Sequence, residues 1–299
     1  MSRMFAFPRA AVLVALGLAL ACGGGGGQTE LTITAQNAST VAAQAVAADA
    51  FCEQMSGMVE GFAEVFANPG SQVFPCDTGN AATFVDDVAP QGELSAGDSA
   101  SVTFNACTID LGGALLTLNG SLSFTVTAAS GAAPDPFSYA LSVDFGSLTM
   151  VAAGVTAVID GGFVLEASSD DGTTITTAVS GDFLSAFASN ADASFSGTLT
   201  GFRWERTVDT TTGDYALSVQ ATISGSEIGG TVTYVTTVPF LGTAPNHPHD
   251  GVLVVTGANG STLTLIALDD VNVQFVVDTD GDGTPEATID TTWDALDGA

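Results

Sequence analysis

Residues 278–286, DTDGDGTPE, are the stretch of this 299-residue chain whose side chains are best suited to binding a metal ion. Four of these nine side chains are carboxylates, and the two glycines permit sharp bends of the backbone. Oxygen ligands at alternate residues are typical of calcium sites, and positions 1, 3, 5 and 6 follow the EF-hand loop. The predicted ligands are Asp278, Asp280, Asp282, Thr284 through its carbonyl group, and Glu286.

The flanks of this turn differ from those of an EF-hand. Position 12, where an EF-hand has a bidentate glutamate, is Ile289. The segments VNVQFVV before the turn and ATIDTTW after it alternate as strands do. The sequence therefore predicts a β-turn with a structural calcium site, closed by Glu286 or Asp290. The alternative is a solvated turn that is rich in Asp and Gly because turns favour them.

Catalytic chemistry has little support in the sequence. There is no lysine and no HExxH or GxSxG motif, and the only histidines, His247 and His249, lie in one loop. With Asp250 they form a weak transition-metal motif, for which a polar loop before a strand is the simpler interpretation. The 33 acidic residues make a two-carboxylate hydrolase available but indicate no particular pair. We predict no catalytic residues and no enzyme.

The segment GFRWERT contains two arginines beside a tryptophan. In a strand, Arg203 and Glu205 would share one face, and Trp204 and Arg206 would share the other. An arginine beside a tryptophan can hold an anionic or sugar ligand by stacking, and a surface ion pair is the alternative.

The N-terminal sequence MSRMFAFPRAAVLVALGLALAC has the layout of a signal peptide, with Arg3 and Arg9 before a short apolar core. LALAC resembles a bacterial lipobox, and the five glycines after Cys22 are typical of a flexible tether. We predict a signal peptide over 1–21, a lipidated Cys22 and a lipid-anchored tether over 22–38. Plain secretion is the alternative. By resemblance, glycine after the cysteine implies sorting to the outer membrane, on a face that the sequence does not define.

Composition restricts the partners of the chain. The formal net charge is −29, and without the two arginines of the signal segment it becomes 2 − 33, or −31. Such a surface repels nucleic acid and attracts divalent cations, so we predict no nucleic-acid partner. The predicted contact with a membrane is through the lipid anchor, and any protein or small-molecule partner is left open.

Two hydrophobic periods organise the mature chain. Between residues 40 and 66, apolar side chains recur at intervals of three and four, which predicts an amphipathic helix within 39–75 that is capped by Ser39 and stopped by NPG. From 76 to 299, about a dozen alternating runs are separated by turn signals at 119–120, 160–161, 170–172, 212–214 and 259–260. Short connections predict antiparallel pairing, and so many strands must curl or close.

The predicted fold class is therefore all-β with one N-terminal helix. We expect a large curved antiparallel meander, or a partial barrel, packed as one unit on a long amphipathic helix. The helix supplies the apolar cover that one face of each strand requires.

With Cys22 lipidated, three cysteines remain in an oxidising compartment. A bond between Cys76 and Cys107 would staple a hairpin, and a bond between Cys52 and Cys76 would tie the helix to the first strand.

Two blocks, 76–127 with GELSAGDSASVTFNAC and 247–293 with DTDGDGTPEATIDTTW, resemble uncharacterised bacterial β-rich lipoproteins. In that group a strand pair is bracketed by two cysteines, and the chain closes on a DxDGDG hairpin followed by Trp. The resemblance implies an envelope compartment, a β fold and the Cys76–Cys107 pairing. It implies no activity, and Cys52 departs from the expected even number of structural cysteines.

The sequence supports an exported, lipid-anchored envelope protein of structural or surface-interaction type. A carrier that holds lipid or another apolar ligand between sheet and helix is the second hypothesis, and a hydrolase is the third.

Overall fold

The structure is a computed structural model that describes residues 29–67, 76–86, 94–110, 115–131, 135–190 and 194–297, without the side chains of 51, 54–67, 194–195 and 297. The predicted signal peptide, Cys22 and its glycines lie outside the described residues. So does the predicted NPG stop signal at 68–70. No helix in the described part of the chain is both long and apolar enough to cross a membrane.

The described chain is mostly antiparallel β-sheet. Thirteen strands form one sheet in which each strand pairs with its neighbours in sequence, so the order is a simple meander. The strands are β1 (Thr78–Asp86), β2 (Ser99–Asp110), β3 (Leu115–Gly131), β4 (Phe137–Ala152), β5 (Val155–Ser169), β6 (Thr174–Ser189), β7 (Ser194–Asp209), β8 (Asp214–Gly225), β9 (Gly230–Thr243), β10 (Asp250–Thr256), β11 (Thr262–Ala267), β12 (Asn272–Asp278) and β13 (Ala287–Thr292). Helix α1 (Ala38–Ala67) precedes the sheet, and the short helix α2 (Trp293–Asp297) follows it.

Alternation of side chains gives the sheet one buried face. On β12, Val273, Phe275 and Val277 are fully buried, whereas Gln274 between them is half-buried. Successive side chains of a strand point to opposite faces, so each strand contributes every second residue to one core. That core runs from Ala100 on β2 to Leu296 in α2 and includes the first half of α1.

Three of the five turn signals read from the sequence are turns, and two are not. Residues 170–172, 212–214 and 259–260 connect successive strands, as predicted. Gly120 and Gly161 instead lie inside β3 and β5, with φ of 98° and 110°. The pairing register shifts beside both glycines, so they are β-bulges. Asn–Gly and Asp–Gly permit a positive φ in either setting, and the sequence alone does not separate the two.

Helix α1 begins one residue before the predicted cap, so Ser39 lies in its first turn. At about 1.5 Å per residue its 30 residues span about 45 Å. The structure does not show the single apolar stripe that the sequence predicts for this helix. Residues 41–45 are all buried, which means that the first turns are covered on every side, and the side chains of 54–67 lie outside the description.

The segment before α1 fixes the helix to the sheet. Leu31 and Thr231 of β9 are joined by a backbone hydrogen bond of 3.0 Å, and the Ala258 amide donates to the Leu31 carbonyl at 2.7 Å. The Ile33 amide donates to the Ser261 hydroxyl at 2.9 Å, and both residues are fully buried. These bonds position the start of α1 beside β9 and the β10–β11 connection.

A disulfide joins the first two strands. The sulfur atoms of Cys76 and Cys107 are 2.03 Å apart, and their Cα atoms are 5.2 Å apart. The Asp77 amide donates to the Thr108 carbonyl at 2.7 Å, so the disulfide lies at the end of the β1–β2 ladder. Cys52 is a buried free thiol in α1. The structure brings together the pair that the resemblance implied rather than Cys52 and Cys76.

The buried face can be tested with two phenylalanines. Phe275→Ala should reduce the free energy of unfolding by about 3–5 kcal/mol, because it leaves a cavity in the centre of the core. Phe84→Ala, on the exposed face of β1, should change it by less than about 0.5 kcal/mol. Denaturant unfolding followed by circular dichroism measures both, and equal losses would contradict this assignment of faces.

Candidate functional site

A cavity of about 490 Å³ lies between α1, five consecutive strands and α2. This volume is within the range typical of small-molecule sites, about 300–1,000 Å³. Its walls are mostly apolar, with five ionisable side chains among them. The lining residues are Ala45, Val46, Asp49 and Glu53 of α1, Trp204 and Arg206 of β7, Tyr215, Leu217 and Val219 of β8, Phe240 of β9, the loop 244–248, Leu253 of β10, Leu265 of β11, and Trp293 of α2.

Two glycines allow the aromatic side chains of the cavity to lie where they do. Tyr215 pairs with Gly242 on β9, and a Cβ at Gly242 would come within 2.4 Å of the Tyr215 ring. Gly251 has a φ of 134°, and a Cβ there would meet Phe240 at the same distance. The two rings therefore cross the neighbouring strand at positions where only glycine leaves room.

Asp49 is the most unusual ionisable group of the cavity. It lies on α1 among buried alanines, faces the cavity and accepts a hydrogen bond from the indole nitrogen of Trp204. Burial raises the pKa of Asp49 to about 7, and the charge of Glu53 adds to the rise. The Trp204 hydrogen bond and Arg206 oppose it. Removal from water outweighs these partners, so the carboxyl group titrates near neutral pH.

Glu53, one turn after Asp49, forms an ion pair with Arg206 across the helix–sheet interface. The guanidinium carbon of Arg206 lies 4.6 Å from the centre of the Tyr215 ring. Arg206 is therefore held by a carboxylate and by an aromatic face, and its side chain is only 20% exposed. Burial raises the pKa of Tyr215 to about 12, so its hydroxyl keeps its proton.

The loop between β9 and β10 forms one side of the cavity. The Tyr215 hydroxyl donates to the Asn246 carbonyl at 3.1 Å, and the His249 amide donates to the Leu241 carbonyl at 2.8 Å. The His247 ring stacks on Trp293, with centres 5.7 Å apart. The indole nitrogen of Trp293 donates to the Asp269 carbonyl at 3.2 Å. Loop and α2 are thus joined through Trp293.

The acidic turn between β12 and β13 is a second candidate site. One carboxylate oxygen from each of Asp278, Asp280, Asp282 and Glu286 lies within 4.8 Å of the others, so the four can hold a metal ion. Backbone amides already orient them. Gly281 and Gly283 donate to the two oxygens of Asp278 at 2.7 and 2.8 Å.

Thr284 and Asp290 have different positions in this hairpin. The Thr284 amide donates to Asp282 at 2.7 Å, so Thr284 lies within the turn that carries the cluster. Asp290 accepts a hydrogen bond from Gln274 at 2.8 Å and is outside the acidic cluster. Of the two closing residues considered, the structure places Glu286 in the cluster.

The sequence located the acidic turn and the two faces of β7. It also suggested a cavity between sheet and helix, but it did not identify the residues of the cavity wall. As predicted for a strand, Arg203 points outward to Glu205, and Trp204 and Arg206 point inward. Asp49 was missed, although its position next to the apolar residues at 41, 45, 48 and 52 was a signal for a buried charge. His247 lies on the cavity wall, and among the described residues its loop holds no metal-type cluster.

The raised pKa of Asp49 predicts how stability changes with pH. The folded chain holds the Asp49 proton at pH values at which the unfolded chain has released it. The stabilisation is therefore full below about pH 4 and is lost as the pH rises through the folded pKa of about 7. Relative to Asp49→Asn, the wild-type protein should therefore lose stability between pH 4 and 8, by at most about 4 kcal/mol. Denaturant unfolding of both proteins across this range measures the difference.

Asp171→Asn is the matched control. Backbone amides of Thr174 and Thr173 lower the pKa of Asp171, so its contribution is present above the unfolded pKa and is lost on acidification. Its difference curve should have the opposite sign. A flat curve for Asp49→Asn would show that Asp49 titrates as an ordinary carboxyl group.

Comparison of the chain with protein families, curated proteins and solved structures gave no match. The cavity and the acidic turn are therefore the features of the described residues that indicate a function. Of the two, the cavity combines a ligand-sized volume, an apolar wall and a perturbed ionisable group, which together are typical of a binding site.

Proposed function

We propose that this protein is an exported, lipid-anchored envelope protein that carries a small, largely apolar ligand in the cavity between the sheet and α1. The observation that carries this proposal is the cavity of about 490 Å³ with its aromatic and aliphatic wall. A purely structural or surface-interaction protein has no need of such a cavity, because unfilled apolar space lowers stability. That role is the alternative, in which the cavity binds nothing.

The sheet curls around this cavity and around α1, as a partial barrel does. Strands β7 to β11 all line the cavity. Five strands in a flat sheet, with four spacings of about 4.8 Å, would be about 19 Å wide. A sphere with the volume of the cavity is only about 10 Å across, so five flat strands would extend well beyond it. Register shifts occur between β7 and β8 and between β8 and β9, where bulges bend strands. Curvature would let one helix cover a wide sheet.

The proposed location rests on the N-terminal sequence. Cys22 carries the lipid, the glycines after it act as a tether, and the outer membrane is the destination. A carrier anchored in this way stays near a membrane, from which an apolar ligand can be taken up. Mass spectrometry of the mature protein checks the anchor by the mass of a lipidated Cys22.

The carrier function predicts that one apolar probe binds per chain. N-phenyl-1-naphthylamine is neutral and fluoresces more strongly in apolar sites, so it should bind with a micromolar dissociation constant. Val46→Trp, which fills the cavity from α1, should weaken binding at least tenfold. Fluorescence titration measures both affinities, and native mass spectrometry reports the stoichiometry and any ligand that is purified with the protein.

Ala47→Trp is the matched control for the filled cavity. Residue 47 lies on the same turn of α1 but is not part of the cavity wall, so this variant should bind the probe within about twofold of wild type. Equal affinities for the two variants, or no binding to the wild type, would contradict the carrier function.

A hydrolase is the second candidate function, because Asp49 and Glu53 face the same cavity from successive turns of α1. A carboxyl group with a raised pKa beside an ionised one is the arrangement of many two-carboxylate sites. Both groups are, however, held by Trp204 and Arg206. Chromogenic glycosides and esters distinguish the functions, because only a hydrolase would turn them over and lose that turnover in Asp49→Asn.

We also propose that the acidic turn binds calcium and that the ion stabilises the β12–β13 hairpin. Four carboxylates within 4.8 Å of one another repel unless a cation is present, and oxygen ligands of this kind suit calcium. Extracellular modules bind calcium with dissociation constants of about 0.1–1 mM, which suffices outside a cell.

Calcium at 10 mM should therefore raise the free energy of unfolding by about 1.4 kcal/mol if the dissociation constant is about 1 mM. Asp278→Asn should abolish this increase, because Asp278 is the buried member of the cluster. Asp269→Asn, in the acidic β11–β12 turn, should leave it unchanged. Thermal unfolding with calcium or chelator measures the effect, and an equal increase in both variants would indicate nonspecific screening.

A further inference from the structure

The cavity wall contains the features by which proteins recognise positively charged organic molecules. We infer that its ligand is an organic cation, an amine or quaternary ammonium on an apolar body, with the charged nitrogen against the Asp49 carboxylate. This inference rests on the carrier function proposed above and adds the chemical class of the ligand.

The charges of the wall favour a cation. Among the described residues that line the cavity, Asp49 and Glu53 are acidic, and Arg206 is the one arginine. Arg206 forms its ion pair with Glu53, and among the described residues Asp49 forms no ion pair, although the charge of Arg206 acts on it from a distance. An ammonium group would supply that partner, and its charge would favour the ionised form of Asp49.

Aromatic side chains provide the second half of the recognition. Trp204, Tyr215, Phe240 and Trp293 line the same cavity as Asp49. The negative faces of such rings attract ammonium groups, most strongly where water is excluded. Arg206 already uses this attraction at Tyr215, where its guanidinium group lies over the ring. The cavity therefore contains one cation–π contact within the protein and offers further rings to a ligand.

An anionic ligand fits the cavity less well. The one arginine of the wall is engaged by Glu53 and by the Tyr215 ring, so an anion would have to compete with a carboxylate for it. The Nε atom of Arg206 has no hydrogen-bond partner among the described residues. It is buried, however, so it is not exposed to an anion in the cavity. The formal net charge of −29 also repels anions and concentrates cations near the protein.

Binding of a cation to Asp49 should depend on pH, because the carboxyl group must be ionised to form the pair. Its pKa near 7 places this change between pH 6 and 8. The groups that act on Asp49 or lie with it around the cavity are Glu53 and Cys52 on α1, Arg206 on β7, Tyr215 on β8, Tyr234 on β9 and His247 in the β9–β10 loop. Tyr215, Tyr234 and Cys52 have raised pKa values and stay neutral in this range.

The test uses three probes that share a naphthalene body: (1-naphthylmethyl)trimethylammonium, its neutral carbon isostere 1-neopentylnaphthalene, and 1-naphthylacetate. Calorimetric titration of the purified protein should show that the cation binds at least tenfold more tightly than the isostere at pH 8. This preference should fall about tenfold at pH 5.5. The quaternary nitrogen does not titrate, so the change reports a group of the protein.

Asp49→Asn identifies that group. The variant should bind the cation about tenfold less tightly at pH 8, lose the pH dependence and bind the isostere within twofold of wild type. Tighter binding of the isostere or of naphthylacetate would overturn the inference and leave the carrier function intact. If none of the probes binds, including N-phenyl-1-naphthylamine, both are overturned.

Discussion

One constraint governs this structure: a thirteen-stranded sheet has a whole apolar face to cover, and α1 is the one long helix that the described residues provide. A packed domain normally covers such a face with a second layer. Here the core extends from β2 to α2 through side chains of nearly every strand, with α1 among them. In the partial barrel proposed above, the sheet would supply much of its own cover. Where the strands and the helix do not fill the space between them, a cavity remains.

Polar contacts determine where α1 lies against the sheet. Its buried residues are mostly alanines, which pack closely but without much specificity of register. Asp49 to Trp204 and Glu53 to Arg206 are specific contacts between the helix and β7, and both lie on the cavity wall. The same residues thus fix the helix and form the polar part of the proposed binding site. A charged pair at such an interface is better suited to setting position than to adding stability.

Much of the fold could be predicted from local signals. Alternation such as Val273, Phe275 and Val277 identifies a strand and its buried face without reference to other strands, and short connections imply a meander. Gly120 and Gly161 show the limit, because a positive φ is compatible with a turn or with a bulge. The choice between them depends on the register of a partner strand, which is a long-range property.

The acidic turn and the cavity also differ in whether a local sequence pattern predicts them. The four carboxylates of the turn lie within nine residues, so their convergence is visible in the sequence. Asp49 and Trp204 are 155 residues apart, and no local pattern joins them. The alternation in GFRWERT placed Trp204 and Arg206 on one face, but their partners on α1 required the tertiary structure. A cavity is the space that neighbouring segments of the folded chain leave unfilled, so the sequence of a single segment does not predict it.

Asp49 is the residue at which stability and binding have opposite requirements. Burial of an ionised carboxylate is unfavourable, so the folded protein at neutral pH holds this group near the midpoint of its titration. An alanine, like its neighbours at 45 and 48, would pack there without that penalty. A half-buried acid at the wall of a ligand-sized cavity is therefore better explained by what it binds than by what it contributes to folding. A cation in the cavity would offset the unfavourable charge, and binding and stability would then rise together.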